Sequence, residues 1–470
     1  MRRFLVFCVL SVSGFIQTSL AKHVSLHGYV TAVHSSTSFE MDDYKILDRT
    51  KEERERILSE GRDYQASQLR PGSLRIGLEV EVKGDYDRKT GEVNATSIRA
   101  VNDDSNPDKS VEGIGLVEDK ASLQRSAQGW SGRFRADGET LIVTTETQIS
   151  VKRSRSEKKE RLALGLETDD GSAFSPEDID LDTFAHYVGM RQGDRSIVAA
   201  RIEFRQDRAA VESAWGYFEP KVIYQAWDEP GTLHVGEKEY ELFSSTETPI
   251  YLDKLGNSLV PTHYRDLPEN SPGKVKFKYF LIKSDPFTVD AYPNGVIVIS
   301  ANVFDVFDNE AQLAFVLSRE IARVVEKQSW TASRYKQNER TGIAATGAAT
   351  AVVLPGAPLV GYLVDRGVTR RFVHGLQSQS DRVGMEYMLA AGYDPNRAVE
   401  AWRVLQKKRA QGPFWGDADQ NLMRRTYLQS ELQLDYANQD FSNLKHDSPD
   451  FHATCDAVKA ARVRAKSKKR

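Results

Sequence analysis

In the stretch FVLSREIARVVE (Phe315–Glu326), Arg319 and Arg323 stand four residues apart with Glu320 beside the first. Residues at i and i+4 share one face of a helix, so the three side chains converge if this stretch is helical. A carboxylate in that position could act as a base. Two imidazoles at the arginine positions would chelate zinc, and the glutamate would take a proton from its bound water. Arginine cannot do this: it stays protonated and has no lone pair to give. The spacing is that of a metal site and the residue types are not.

Three further residues could hold a cation. His446, His452 and Cys455 lie close together with Asp447 and Asp450 between or beside them. Their spacing fits no familiar zinc finger, and they read as surface or packing residues. His374 lies one turn before Gln377 and would share its helix face. Lone histidines are usually structural, so it is not assigned a ligand role.

The elements that must position these groups follow from periodicity. Asn309 and Gln312 form a capping-box pattern ahead of Leu313, Val316, Leu317, Ile321 and Val324, which recur at helical spacing. Upstream, VKFKYFLIKSD and NGVIVIS read as strands. Further upstream, Ile250, Leu252, Leu255 and Leu259 give a helix. Downstream, SQSDRVGMEYMLAAGYDPNRAVEAWRVLQKK predicts two helices, the first ended by Gly392 and the second begun by Asp394 and Pro395.

The first half has a different texture. VSLHGYVTAV alternates apolar and polar residues; Leu78, Val80 and Val82 repeat the pattern, and after a turn at Lys89-Thr90-Gly91 so do Val93, Ala95 and Ile98. VEGIGLVED echoes the first segment, RSIVAARIEF echoes the last, and GETLIVTTETQISV alternates between them. Two copies of a small β-barrel are expected, at 22–104 and 105–206, each with an irregular charged insert: KEERERILSEGRDYQ and KRSRSEKKERLALGLETDDG. The copies resemble OB-like modules, which bind sugars, peptides or nucleic acids on one face. A spacer or docking role is the simpler reading, and the basic run Lys152–Arg161 reads as a solvated loop.

The chain has 470 residues, 40% hydrophobic and 28% charged, with net charge −3. It is long enough for several domains and gives no global case for nucleic acid. Arg2, Arg3, the apolar run Phe4–Ile16 and Ser19-Leu20-Ala21 read as a cleaved signal peptide, 1–21. Cys455 is then the single cysteine of the mature chain and has no internal partner. The longest apolar run, Gly342–Val364, is long enough for a span but is broken by Pro355-Gly356. It reads as a buried or membrane-dipping helical hairpin and is the expected point of membrane contact. The linker is placed at 207–239 and a basic tail at 466–470.

Several segments together resemble one family. VDAYPNGVIVISANVFDVFDNEAQLAFVLSREIARVV is similar to a strand pattern N-A-F-x-x-P-x-G, a helix start N-E-x-E/Q-L-A and the motif V-L-x-H-E-I-A-H. SQSDRVGMEYMLAAGYDP, LKHDSPDFHATCDAVKAAR and YLDKLGNSLVPTHYRDLPE resemble that family's second motif, closing segment and opening helix. The family is the HtpX-like, CAAX-prenyl-protease-related zinc metallopeptidases, family forty-eight of the metallopeptidases, in its exported bacterial branch. The resemblance covers about 240–465 and implies an α+β zincin-like (gluzincin) domain behind the two all-β barrels. It implies that Glu320 keeps the general-base position and Asp381 a supporting position behind the metal. Arg319, Arg323 and Gln377 replace the three ligands, and Asp290 replaces an asparagine. Asn294, Gly295 and His446 are carried over as cleft residues.

The resemblance therefore implies a family scaffold without its zinc, and no cofactor is expected unless the family activity is retained. Two guanidinium groups could stand in for the +2 charge of zinc and hold Glu320 and Asp381 in salt bridges. They could also hold a peptide carboxylate. Three functions stay open. One is an exported periplasmic or envelope pseudopeptidase that binds extended or misfolded envelope proteins. Another is an active zinc metalloendopeptidase with an unconventional metal site. The third is a polymer- or partner-binding protein acting through its barrels.

Overall fold

The computed structural model describes residues 22–59, 74–102, 110–153, 163, 174–179, 183–206, 218–223, 231–243, 247–269, 271, 274–283, 287–328, 370–407 and 418–468. The leader 1–21, nearly all of the second charged insert and the apolar run Gly342–Val364 lie outside the described residues. Among the described residues, no helix is long and apolar enough to cross a membrane.

Alternation builds the first half as expected. Strands β1 (Lys22–Tyr29), β2 (Ala32–Ser35), β3 (Ser38–Met41), β4 (Tyr44–Asp48), β5 (Glu79–Asp87) and β6 (Glu92–Asn102) pair in the order β1-β5-β6-β4-β3-β2. Only Val30 and Thr31 separate β1 from β2, and they bond to Leu78 on one side and Glu40 on the other. The two strands are thus one bent strand, and the sheet closes on itself into five staves. Inward positions Phe39, Ile46, Val80, Val82, Val93 and Ile98 are fully buried. The first charged insert is not wholly irregular: Thr50–Ser59 forms helix α1. Its Glu52 and Glu53 lie in the first turn and Arg56 in the last, which suits the helix dipole.

The second copy repeats the plan. Strands β7 (Ser110–Asp119), β8 (Gln124–Ser126), β9 (Gly129–Ala136), β10 (Glu139–Val143), β11 (Gln148–Arg153), β12 (Phe184–Arg191) and β13 (Ile197–Gln206) form one sheet. Its pairings run β7-β12-β13-β10-β9 and back to β7, a closed ring. In both copies the third stave runs parallel to the last: β4 with β6, and β10 and β11 with β13.

The stretch 207–239 was expected as a linker, and the structure corrects this. Strands β14 (Lys221–Ile223), β15 (Thr232–Val235) and β16 (Lys238–Glu241) form an antiparallel meander. A bridge from Leu242 to Ile282 joins it to β17 (Lys278–Ile282). β17 pairs in parallel with β19 (Val296–Ser300), which pairs antiparallel with β18 (Val289–Ala291). The meander escapes periodicity because its strands are only three or four residues long.

Helices fill the rest: α2 (Glu247–Ser258), α3 (Thr262–Arg265), α4 (Val303–Val306), α5 (Glu310–Val325), α6 (Arg370–Ala390), α7 (Asn396–Lys407), α8 (Ala418–Asp435) and α9 (Pro449–Lys468). Asn309 caps α5 through its side chain on the Gln312 amide, and Gln312 answers on the Asp308 amide. Unlike a surface helix, α5 is buried nearly all round: Phe315, Leu317 and Ile321 are covered, but so are Ser318, Arg319 and Glu320. Each such apolar side chain contributes about 1.5–3 kcal/mol of burial. Helix α6 crosses α5 at Gly384, where a Cβ would stand 2.6 Å from the Arg319 Cα. Gly392, at φ +86°, ends the chain's path from α6, and Asp394 receives the Asn396 amide at the start of α7.

Candidate functional site

The i, i+4 spacing does bring Arg319, Glu320 and Arg323 onto one buried face of α5. Arg319 Nε donates to Asp381 Oδ1 of α6 at 2.9 Å. Its Nη1 donates to Glu320 Oε1. Arg323 Nη1 donates to the other Glu320 oxygen, Oε2, which also accepts from the Ala291 amide of β18 at 3.2 Å. Both oxygens of Glu320 are therefore engaged, and the residue is fully buried.

Asp381 is held twice. Besides Arg319 it accepts from Arg424 of α8, Nε to Oδ2 at 2.7 Å and Nη2 to Oδ1 at 2.5 Å. That bidentate geometry is the strong form of the pair. The Arg424 guanidinium lies over the Trp402 ring at 3.7 Å. Burial lowers the Arg424 pKa to about 10; Asp381 opposes this and Arg319 adds to it. The group stays charged at neutral pH. Arg424 and Trp402 carry no sequence signal: they lie on other helices, and only the packing brings them in.

A further layer reaches the meander. Arg323 Nη1 lies 3.6 Å from Asp290 Oδ1, and Lys238 Nζ of β16 lies 3.4 Å from Asp290 Oδ2. Burial raises the Asp290 pKa, Arg323 and Lys238 pull it down, and Glu320 pushes it up. Lys238 also sits 6.0 and 5.9 Å from the rings of Tyr240 and Tyr292, whose hydroxyls bond at 2.6 Å. The stretch read as a linker thus supplies a cation to the site.

The other sequence candidates fall elsewhere. Gln377 is half-buried on α6, four residues before Asp381. Asn294 and Gly295 make the β18–β19 turn: Asn294 Nδ2 donates to the Phe218 carbonyl at 2.7 Å, and Gly295 takes φ +85°. His446 lies beside the start of α5. Its carbonyl accepts from the Ala311 amide at the start of α5, and its ring takes the Arg397 guanidinium at 2.9 Å. His452 is exposed and bonded to Asp447, and Asp450 pairs with Lys254. Cys455 is buried, which pushes its thiol up to about 11. No group of three metal-ligating side chains occurs among the described residues. The side chain of His374 is outside them.

The cluster does not fit a zinc ion. At the motif positions it offers guanidinium donors, and its carboxylates are already taken by cations. What it can do chemically is pair three buried acids, Glu320, Asp381 and Asp290, with guanidinium and ammonium groups in place of a metal.

No family model matches the chain. Over 152 residues, 31% of this chain, it is 28% identical to the beta-barrel assembly-enhancing protease of Escherichia coli strain K12. Over 154 residues it is 27% identical to the protein of the same name from Yersinia pestis. Each match covers 30% of the relative, so the chain spans less than a third of the length of the curated relatives it matches. At that distance the likeness supports a relationship of the family-forty-eight metallopeptidase kind and nothing finer.

Proposed function

We propose that this chain is an envelope pseudopeptidase: a zincin-like scaffold that binds extended or misfolded envelope polypeptides and does not cleave them. One observation carries the reading. Glu320, the residue in the general-base position, spends both oxygens on Arg319, Arg323 and the Ala291 amide and has no exposed surface. A base must reach the proton it abstracts, and a fully covered Glu320 presents no surface to a substrate water. The similarity to beta-barrel assembly-enhancing proteases supports protein substrates or partners and an envelope setting. We read the two closed sheets as OB-like, on their shared stave order and their parallel third and fifth staves. They are docking modules around the scaffold.

The test uses purified mature protein. Elemental analysis after mild dialysis is expected to find far less than one zinc per chain. A fluorescent, chemically unfolded polypeptide is expected to bind and remain intact. Stoichiometric zinc, or metal-dependent cleavage abolished by Glu320→Gln, would overturn the reading in favour of an active metallopeptidase. If residues 22–206 alone retained all the binding, the function would move to the barrels.

A further inference from the structure

A second buried charged cluster lies where the second barrel meets the helices. The β9–β10 hairpin, Asp137-Gly138-Glu139, packs on α6. Arg382 Nη2 lies 3.0 Å from Asp137 Oδ1, and Arg135 Nη2 donates to Glu386 at 3.0 Å. A Cβ on Gly138 would stand 2.8 Å from both Arg382 Nη1 and Glu386 Oε1. From β7, Glu118 receives the Gly138 amide at 2.5 Å, and the Leu116 amide donates to Glu326 Oε2 at 2.9 Å. Five carboxyls (Glu118, Asp137, Glu139, Glu326 and Glu386) thus meet three guanidiniums, those of Arg135, Arg191 and Arg382.

Glu326 is the extreme case. It is 2% exposed, and its Oε1 has no hydrogen-bond partner among the described residues. It is the C-cap of α5, where the helix dipole disfavours a negative charge. Facing it are Glu118 of β7, Asp137 of the hairpin and Arg382 of α6. Tyr387 of α6 faces Glu326, Glu118 and Glu386, and its buried hydroxyl has no partner among the described residues. Lys327, next in the chain, has its ammonium 5.2 Å from the centroid of the Phe184 ring. Glu386 faces Glu118, Glu139, Arg382 and Arg135 from the barrel and its own helix, and Tyr436 from α8. His263 of α3 faces Glu118 and Arg135, and burial lowers its pKa, so it is a poor source of added positive charge.

An ionised carboxylate cannot be buried beside like charges with an open oxygen at small cost, and among the described residues no group of three side chains is placed to hold a metal ion. We propose that docking of the second barrel on the helical half is proton-linked: the carboxyls of Glu326 and Glu386 hold protons while the barrel is seated, and ionising them loosens it. Burial, then the neighbouring acids, raises both pKa values well above the ordinary carboxylate range. The sign follows. With a raised folded pKa, the contribution is complete below the unfolded value and is lost as pH rises toward the folded one. Mild acid therefore seats the barrel and alkali frees it.

The full chain tests this with two readouts. At neutral pH the infrared spectrum should show the carbonyl stretch of buried protonated carboxyls, weakened in Glu326→Gln and again in Glu326→Gln/Glu386→Gln. Between about pH 5 and about pH 9 the native melting midpoint should fall more steeply than that of the double variant, which mimics the protonated state. Absence of the protonated-carboxyl band in the native chain would overturn the proposal without reference to any variant. So would parallel pH profiles for the native chain and the double variant.

Discussion

Helix α5 passes through two buried charged clusters only six residues apart, about 9 Å along its axis. At Glu320 each carboxylate has strong partners: two guanidiniums and an amide on Glu320, two guanidiniums on Asp381. At Glu326 the carboxyl has one backbone amide, two acids and the single Arg382 guanidinium for neighbours, and no ion pair of its own within contact distance is seen among the described residues. Burial is the same in both places. What differs is the count of cations, and that decides whether an acid stays ionised or keeps its proton. The first cluster should depend on its arginines; the second should depend on pH.

The largest effect expected from breaking the first cluster is that of Arg319→Ala. It leaves Asp381 with one cation and Glu320 with one, both fully buried, and should cost about 3–5 kcal/mol in denaturant unfolding. A cost below about 1 kcal/mol would mean that water reaches these acids. That would reopen the case for an accessible pocket and a working base.

Next comes the helix crossing that closes this cluster. Gly384→Ala would normally favour a helix by about 1 kcal/mol. Here the added methyl meets the Arg319 backbone at 2.6 and 2.7 Å, atoms that cannot swing aside. A net loss of about 1–3 kcal/mol is expected. The barrel contact gives the control. At Gly28 a Cβ meets the Thr426 hydroxyl at 2.8 Å and the Met41 methyl at 3.0 Å, both side-chain ends. Gly28→Ala should cost less than Gly384→Ala, and equal costs would show the two interfaces to be packed alike.

The acid-rich interface extends to α8, where Arg195 of the barrel pairs with Glu431 and Asp435. Burial, then Asp435, raises the Glu431 pKa to about 8, with Arg195 opposing. Its contribution is complete below the ordinary carboxylate range and is lost as pH rises to about 8. The native chain should therefore lose about 1–3 kcal/mol across that window through this group. Glu431→Gln should flatten the loss, measured by urea unfolding at each pH.

Much of this contrast was legible in the sequence, but unevenly. Alternation with a repeat gave both barrels, and the capped apolar pattern from Asn309 gave α5, because both signals are local. The spacing of Arg319, Glu320 and Arg323 gave their convergence for the same reason. Arg424 was invisible, since it sits 43 residues beyond Asp381 on a helix without a motif. Lys238 was missed because its strand is four residues long and was read as linker. Glu326 was in view as the last residue of the quoted helix, but nothing local says that a barrel some 200 residues earlier in the chain closes over it. Charge signs are written in sequence; charge neighbourhoods are made by the tertiary fold.

The smallest expected effect is the one that sharpens the contrast most. Zinc added to the native chain should not move its melting midpoint, because the first cluster already holds its acids with arginines. A zinc site half-saturated or better would stabilise the folded state by a visible amount, about 2.7 kcal/mol at a hundredfold excess over the dissociation constant. Installing zinc ligands by Arg319→His, Arg323→His and Gln377→Glu removes both α5 cations and adds an acid. Without metal this variant should be less stable than the native chain, since Glu320 loses both of its guanidiniums and Asp381 loses one of its two. Zinc should then recover stability in the variant alone. If zinc stabilised the native chain as strongly, the arginines would not be the replacement for the metal. If it failed to stabilise a folded variant, the geometry of α5 and α6 would have drifted from that of a metal site, and Gly384 would be keeping the helices close for the arginine network itself.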